Sequence, residues 1–487
     1  MKKVSRIDRK RRRKTTQIIR VTVLILLAVL LVVSVICLAL KLGDMDGPVS
    51  GTVGTGGTDT TTGDDAGSTG ETPDGGATEG TVEETTPAEE VWAEVTEKAD
   101  LMAMQYDYDG AIELLKGQTG YGESSYLKDK VDAYTAMKNS CVEYKPEDVA
   151  HVFTHSLVVD VERAFDGDSR EAAYDDDMLT LDEFEKIIAS MYENGYVLVS
   201  LHDMVDVAAD GTMTKKSIWL PEGKKPVVFS QDDLSYYHIY DGDGLADCLF
   251  VDENGEVKNK YTDANGNVLV GDYDMVPVID TFVKEHPDFS YRGRKGIIAM
   301  TGYNGVFGYR TDGDYRDWTD LLTDQRLWLE NHPEFDWEAD VAAAKAVADA
   351  MKANGWEFAS HSWGHANMGT STMARIKTDT EKWKLYVESI VGKTDVFIYA
   401  YGADISSSAP YTMDNERFAY LKSQGFNIFC NVDGTTLGWL QAGENFMRQS
   451  RLNLDGHRMR TSPQLLSALF DVEEVYNNAR PMGLEDE

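Results

Sequence analysis

The stretch Val341–His365, VAAAKAVADAMKANGWEFASHSWGH, is the part of the sequence that indicates the fold most clearly. Its first half has the apolar spacing of a helix, which Gly355 ends, because glycine readily adopts the left-handed backbone that follows many helices. The segment WEFAS then predicts a buried strand, and the polar residues His361 and His365 follow it. A helix, a glycine, a buried strand and a polar loop in this order form one repeat of a parallel α/β fold.

The same alternation continues on both sides of this stretch. Buried strands are predicted within AHVFTHSLVVD, YVLVSLHDMV, KPVVFSQDD, GIIAMTGY, TDVFIYAYGAD, FNIFCNVD and MRQSRLNL, with amphipathic helices such as LDEFEKIIASMYENG between them. This alternation predicts a distorted (β/α) barrel of about seven repeats over residues 146–475. Two Asn-Gly pairs in LFVDENGEVKNKYTDANGNVLVGDYD predict β-hairpins inserted after the third strand, at about residues 245–273.

The N-terminus carries a basic block followed by a long apolar run. Residues 1–20 are rich in Lys and Arg, whereas VTVLILLAVLLVVSVICLAL is uncharged and long enough to cross a bilayer as a helix. We therefore predict a cytoplasmic segment at 1–20, a transmembrane anchor at 21–42, and the remaining chain outside the plasma membrane, by the positive-inside rule. A cleaved secretory signal is the competing interpretation, but its apolar core would be shorter and would lead into a small-residue cleavage site.

Two further segments precede the predicted barrel. Residues 43–90 are Gly, Thr and acidic residues with few large apolar side chains, a composition that predicts a disordered tether. Residues 91–145 show helical spacing and predict a spacer that resembles one tetratricopeptide-type hairpin, although one such unit is not an array. Residues 476–487 are predicted to form an acidic C-terminal tail.

Charge and cysteine content exclude several classes of protein. The formal net charge is −36, so nucleic acid, whose phosphates would be repelled, is not an expected partner. Of the four cysteines, Cys37 lies in the apolar run. The other three, Cys141, Cys248 and Cys430, are an odd number without short metal-type spacing. Neither a disulfide framework nor a Cys-ligated zinc site is therefore indicated.

Four polar side chains are predicted to meet at one end of the barrel. Asp232 and Asp233 follow the strand segment VVFS, and His361 and His365 follow the strand segment EFAS. The C-terminal ends of barrel strands converge, and two imidazoles with one carboxylate form an open ligand set for a divalent metal. Adjacent side chains on a strand point to opposite faces, so one aspartate would bind the ion and the other could act as a base. The alternative is a solvated turn and two polar loop residues.

The segments HVFTHSL, LPEGKKPVVFSQDD, KGIIAMTGYNG and AKAVADAMKANGWEFASHSWGH, in this order, resemble the NodB-type polysaccharide deacetylases, which form carbohydrate esterase family four. The likeness is closest to exported members and runs over residues 152–470. It implies one divalent ion, with zinc expected and cobalt, nickel or manganese as alternatives. It also implies a role for each site residue: Asp233, His361 and His365 as metal ligands, Asp232 as catalytic base, Tyr401 as the residue whose backbone amide holds the oxyanion, and His457 as general acid.

The sequence departs from this family at the residues that support the site. Ile398 aligns with the arginine that pairs with the catalytic base, and Arg451 or Arg310 is a candidate for the missing charge. Leu234 and Gln231 replace a glycine and an aromatic residue beside the Asp-Asp pair, and His457 lacks its usual neighbours.

The resemblance implies a metal-dependent hydrolase that removes N-acetyl groups from an extracellular or cell-wall aminosugar polysaccharide. Its reaction would break a carbon–nitrogen bond other than a peptide bond. Three alternatives remain open: an O-acetyl esterase, a catalytically impaired glycan-binding pseudoenzyme of the same fold, and a purely structural envelope protein.

Overall fold

The computed structural model describes residues 87–485, and its centre is a closed barrel of seven parallel strands. These strands are β1 (Ala150–Thr154), β2 (Lys225–Asp232), β3 (Ile297–Met300), β4 (Glu357–Ser360), β5 (Val396–Ile398), β6 (Ile428–Val432) and β7 (Met447–Asn453). Strands β2 to β7 pair in sequence order, and β1 closes the ring between β7 and β2. The predicted barrel architecture is therefore confirmed.

Strand β2 has different neighbours at its two ends. On one edge it pairs with β1 along most of its length. On the other edge, its first residues pair with the short strand Tyr196–Leu198, and its last residues pair with β3. The strand predicted within YVLVSLHDMV is thus present but reaches only the N-terminal half of the barrel. The ring of seven closes at the C-terminal half, where the site residues lie.

Helices surround the barrel and precede it. The longer helices are α1 (Pro87–Met104), α2 (Tyr108–Lys116), α3 (Ser125–Asn139), α4 (Leu181–Glu193), α5 (Met275–Glu285), α6 (Thr323–Asn331), α7 (Trp337–Ala353), α8 (Met373–Trp383) and α9 (Glu416–Ser423). Short helices span Val161–Ala164, Glu171–Asp177, Gly313–Asp317, Ser389–Val391, Gly456–Thr461, Pro463–Leu466 and Val472–Val475. After α7, Gly355 has φ +94°, and a Cβ there would lie 1.9 Å from the carbonyl oxygen of Gly293, so only glycine fits.

The hairpin insertion predicted after the third strand, KPVVFSQDD, is present and follows β2 of the ring. It forms a three-stranded antiparallel sheet of Cys248–Val251, Val257–Thr262 and Val268–Gly271. Both connecting turns contain an Asn-Gly pair, and each glycine has φ +81°, the left-handed conformation that such turns require. Three further small pairings complete the strands: Val142–Tyr144 with Ile218–Leu220, Val205–Val207 with Met213–Lys215, and Leu440–Ala442 with β7.

The segment of helices α1 to α3 contacts the barrel at its N-terminal end, through the turn between α1 and α2. The hydroxyl of Tyr106 donates to the carbonyl of Asp288 at 2.8 Å, and the amide of Arg292 donates to the carbonyl of Gln105 at 2.7 Å. Asp288 and Arg292 come just before β3, so the contact lies opposite the strand ends that carry the site. The predicted spacer is therefore helical and packs directly on the barrel.

The predicted cytoplasmic segment, the anchor at 21–42 and nearly all of the tether lie outside the described residues. Helix α1 begins at Pro87, inside the range predicted as tether. Between residues 87 and 485 no helix is both long and apolar enough to cross a membrane. In the range predicted as an acidic tail, Arg480 is buried and forms ion pairs with Glu183 and Asp175.

Candidate metal centre and active site

Asp233, His361 and His365 form a compact cluster at the C-terminal end of the barrel. One ligand atom from each residue lies within 4.8 Å of the others. Asp233 follows β2 and His361 follows β4, and both strands pair with β3, which brings their ends together. The three residues predicted as metal ligands thus lie side by side, and their role as ligands stays a prediction.

The ring of His361 is held in the orientation that a metal ligand needs. Its Nδ1 lies 2.9 Å from the carbonyl oxygen of Ile398. A carbonyl can only accept, so Nδ1 carries the proton and Nε2 keeps its lone pair facing the cluster. Burial lowers the pKa of His361 by more than the nearby charges of Asp232 and Asp233 raise it, so the imidazole is neutral at pH 7.

Asp233 is held by a tyrosine that the sequence analysis did not identify. The hydroxyl of Tyr237 donates to Asp233 Oδ1 at 2.8 Å, whereas Asp233 Oδ2 lies 3.5 Å from His365 Nε2. One carboxylate oxygen is therefore fixed and the other faces the histidines. Asp233 also has φ +62°, an uncommon conformation for a residue with a side chain. The chain thus turns sharply at the end of β2 to place this carboxylate.

Asp232 is paired with Arg451, which lies on β7. Arg451 Nη1 and Nη2 donate to the two carboxylate oxygens of Asp232 at 2.6 and 2.8 Å, and both side chains are buried. Burial alone would raise the pKa of Asp232, but the charge and hydrogen bonds of Arg451, together with the nearby histidines, outweigh it and hold that pKa well below its usual range. Asp232 is therefore ionised, as a base must be.

The family arginine would carry a positive charge at the position of Ile398. Arg451, on the different strand β7, supplies that charge here. Ile398 contributes instead the backbone carbonyl that orients His361. The other candidate, Arg310, donates to the carbonyl oxygens of Tyr236 and Asn304, so it holds neighbouring loops together. Of the two arginines, the structure places Arg451 at the predicted base.

The two substitutions beside the Asp-Asp pair are accommodated in the core. Gln231 donates to Asp274 Oδ1 at 2.7 Å, and Tyr236 donates to the other oxygen at 2.8 Å. Burial of Asp274 raises its pKa to about 6. Leu234 is fully buried. Leu234 therefore packs in the core, and Gln231 supports Asp274.

Tyr401 lies at the mouth of the cluster. It follows β5 in a left-handed conformation with φ +59°, its side chain is 69% exposed, and its ring centroid lies 4.3 Å from that of His365. The loop that continues from it is tied back by Arg448, whose Nε donates to Asp404 at 2.7 Å. The structure thus brings Tyr401 beside the cluster, and the role of its amide stays a prediction.

Two histidines lie near Asp177, and one of them was not identified from the sequence. His457 is exposed in the helix Gly456–Thr461. Burial raises the pKa of Asp177, whereas the charges of His155 and His457 lower it. The charge of His155 also lowers the pKa of Asp232. His155 is the second histidine of the segment HVFTHSL and directly follows β1, and this position was the signal that could have identified it.

One comparison with known protein families agrees with the resemblance. A family profile described as polysaccharide deacetylase matches residues 327–420. Among solved structures, the Streptococcus pyogenes deacetylase PplD in complex with acetate aligns over 68% of this chain and 99% of its own, at 12% identity and a TM-score of 0.35. No curated protein matches the sequence. Residues 327–420, which contain both histidines of the cluster and Tyr401, match the polysaccharide deacetylase family that the sequence resembles.

Proposed function

We propose that this protein is a metal-dependent deacetylase that removes N-acetyl groups from an aminosugar polysaccharide. The observation that supports this most directly is the cluster of Asp233, His361 and His365 beside the ionised Asp232. The family match over residues 327–420 supports the same reaction class. The location outside the plasma membrane belongs to the proposal too, and it rests on the sequence of residues 1–42.

The cluster fits a divalent ion by its chemistry. One carboxylate and two neutral imidazoles are a typical open ligand set for zinc, and they also suit cobalt, nickel or manganese. The hydrogen bond from His361 to the carbonyl of Ile398 and the one from Tyr237 to Asp233 are the outer contacts that such ligands usually make. When bound, the ion would polarise the acetyl carbonyl and lower the pKa of a water molecule.

Asp232 would accept the proton of the attacking water. Its ion pair with Arg451 keeps the carboxylate ionised and fixes its orientation toward His361, whose Nε2 lies 3.8 Å away. Protonation of Asp232 would weaken the pairing with Arg451, so we infer that the proton is passed on rather than kept. The backbone amide of Tyr401 is proposed to donate to the oxyanion.

The departing amine needs a proton, and two histidines are candidates for donating it. His457 is the residue that the sequence analysis identified. His155 has the added support that its charge acts on Asp232, the residue that would receive the water proton. A histidine is suited to this transfer because its ordinary pKa lies near neutral pH.

The test is acetate release from a panel of N-acetylated glycans and O-acetyl esters. Full-length protein would be stripped with a chelator and reloaded with zinc or cobalt, with His361→Ala as the matched variant. We expect acetate from at least one N-acetylated polymer with the loaded wild type and none with the variant. If the loaded wild type releases no acetate from any member of the panel, the proposal is wrong.

The same panel separates the alternatives. An O-acetyl esterase would release acetate from the esters alone. A glycan-binding pseudoenzyme would bind a polymer without releasing acetate, and Asp232→Asn would not change that binding. An unpaired base would favour a pseudoenzyme, but Asp232 is paired with Arg451 although Ile398 replaces the family arginine.

A further inference from the structure

The loop between His361 and His365 has a strained backbone. Ser362 has φ +63° and His365 has φ +46°, and neither is glycine. Left-handed backbone is costly for residues with side chains and persists where surrounding contacts impose it. The spacing of the two histidines therefore depends on whatever holds this loop.

A buried carboxylate on α8 holds the loop from outside. Asp379 Oδ1 accepts from the amide of Trp363 at 2.8 Å, and Asp379 Oδ2 accepts from the amide of Gly364 at 2.9 Å. Asp379 is 6% exposed. A Cβ on Gly364 would lie 3.3 Å from Asp379 Oδ2, so glycine allows this close approach. Both amides that this carboxylate binds lie between the two histidines.

Other contacts fix the remaining parts of the loop. The carbonyl of Trp363 accepts from the amides of Gly302 and Tyr303 at 2.9 and 3.0 Å. Ser362 Oγ accepts from the amide of Ala366 at 2.6 Å. These contacts satisfy carbonyl and amide groups on either side, whereas the amides of Trp363 and Gly364 depend on Asp379. Without that carboxylate, two half-buried donors would lose their partner, and the loop would be free to relax.

We propose that Asp379 is a positioning residue that sets the metal affinity of the cluster by holding His361 and His365 at their present spacing. The inference rests on the proposed function, because it needs an ion at the cluster. It adds Asp379, on α8, which does not touch the ion site itself but binds two backbone amides of the loop that carries His361 and His365.

The experiment measures the affinity of the stripped full-length protein for zinc, by competition with a chromophoric chelator. The variants are Asp379→Ala and Asp379→Asn. The control is Thr372→Ala, which removes the N-cap of the same helix, where Thr372 Oγ1 accepts from the amide of Arg375 at 3.3 Å. This control weakens α8 and leaves both loop hydrogen bonds intact.

We expect Asp379→Ala to raise the Kd for zinc by about 10-fold to 100-fold, as loss of an outer contact at a metal site usually does. Asp379→Asn should raise it by less, because the amide keeps one acceptor oxygen. Thr372→Ala should lower the melting temperature and leave the zinc Kd within about twofold of the wild-type value.

Two results would overturn the inference: an unchanged zinc Kd in Asp379→Ala, or an equal loss of affinity in Thr372→Ala. If Asp379→Ala does not fold, Asp379→Asn decides, since it has nearly the same shape, and an unchanged Kd there counts against the inference. A wild type that binds zinc and releases acetate while both Asp379 variants bind equally well refutes the inference alone. A wild type that binds no zinc refutes the proposed function together with it.

Discussion

Arg451 on β7 reaches across β1 to Asp232 on β2 and binds both of its carboxylate oxygens, at 2.6 and 2.8 Å. The guanidinium lies over the ring of Phe153, a residue of the intervening strand, with 4.1 Å between the guanidinium carbon and the ring centroid. The ion pair therefore links three neighbouring strands at the end of the barrel where the cluster lies. Its two charges are compensated inside the barrel and not by solvent.

Removing Arg451 should leave an unpaired carboxylate in the core. We expect Arg451→Met to lower the free energy of unfolding by about 3–5 kcal/mol, the usual cost of breaking a buried ion pair from one side. Urea denaturation would measure it. The double variant Arg451→Met with Asp232→Asn should recover part of the loss, because the buried charge is then gone as well. Strictly additive effects would contradict the pairing.

Zinc should stabilise the folded protein through the cluster. At about 100 times its Kd, a ligand specific for the folded state adds about 2.7 kcal/mol. We expect such a shift for the stripped wild type, and its loss in His365→Ala, measured by denaturation with and without zinc. His332→Ala is the matched control, because His332 is not one of the three cluster residues. It stacks instead on Trp328, with ring centroids 4.2 Å apart. A zinc shift retained in His365→Ala would contradict the ligand assignment.

The general acid can be identified with two substrates of different leaving group. Loss of a general acid typically costs about 10²-fold to 10⁴-fold when the leaving group needs a proton. We expect His155→Ala or His457→Ala to show this loss with an N-acetylated glycan and a much smaller one with an aryl acetate, whose phenolate leaves unprotonated. Equal losses on both substrates would indicate a structural role for that histidine.

Gly355 should be far more sensitive to substitution than another left-handed glycine. Gly355→Ala places a Cβ 1.9 Å from the carbonyl oxygen of Gly293, whereas a Cβ on Gly425, with φ +103°, would meet no described atom beyond its chain neighbours within 4 Å. We expect Gly425→Ala to cost about 1–2 kcal/mol for its backbone alone. Gly355→Ala should cost at least about 1–3 kcal/mol more, because the backbone must also move. Thermal or urea unfolding would compare them, and equal losses would contradict the clash.

Stability at alkaline pH should depend on His202. Burial would lower the pKa of His202, but its hydrogen bonds to Asp395 and Glu357, at 2.8 and 3.1 Å, raise that pKa to about 10. The folded state therefore binds this proton more tightly than the unfolded chain, whose histidine has its ordinary pKa of 6.5. The stabilisation is fully present below pH 6.5 and is lost as the pH rises toward 10.

The measurement is the free energy of unfolding of the wild type and His202→Gln between pH 6 and pH 10. We expect the difference between the two proteins to shrink as the pH rises through this range. Deprotonation of lysine and tyrosine affects both proteins alike and cancels in the comparison. A difference that stays constant with pH would show that His202 is not charged in the folded state.

The features that could be predicted from the sequence are those that local patterns encode. The helix, glycine and strand around Gly355 appear within one stretch, and each Asn-Gly pair defines its own turn. The cluster could be placed because Asp233 and His361 each end a predicted strand. Closure of the barrel then brings those strand ends together.

The features that could not be predicted depend on which distant strands become neighbours. Arg451 and Asp232 are 219 residues apart and meet only through closure of the ring by β1. The sequence does not show that Asp379, on the helix after the loop, turns its carboxylate back toward Trp363 and Gly364. Nor does it show that Tyr196–Leu198 reaches only half of the barrel, since that depends on how β2 shares one edge with β3.

The backbone around the cluster implies a trade-off between stability and activity. Ten described non-glycine residues have positive φ, and Asp233, Ser362, His365 and Tyr401 are among them. Glycine at such positions would relieve local strain, and relief of this kind often makes a protein more robust. Here glycine at Asp233 or His365 would also remove a proposed metal ligand, and glycine at Ser362 or Tyr401 would loosen the backbone beside the cluster. Substitutions meant to stabilise the protein should therefore leave these four positions unchanged and be placed at the N-terminal end of the barrel.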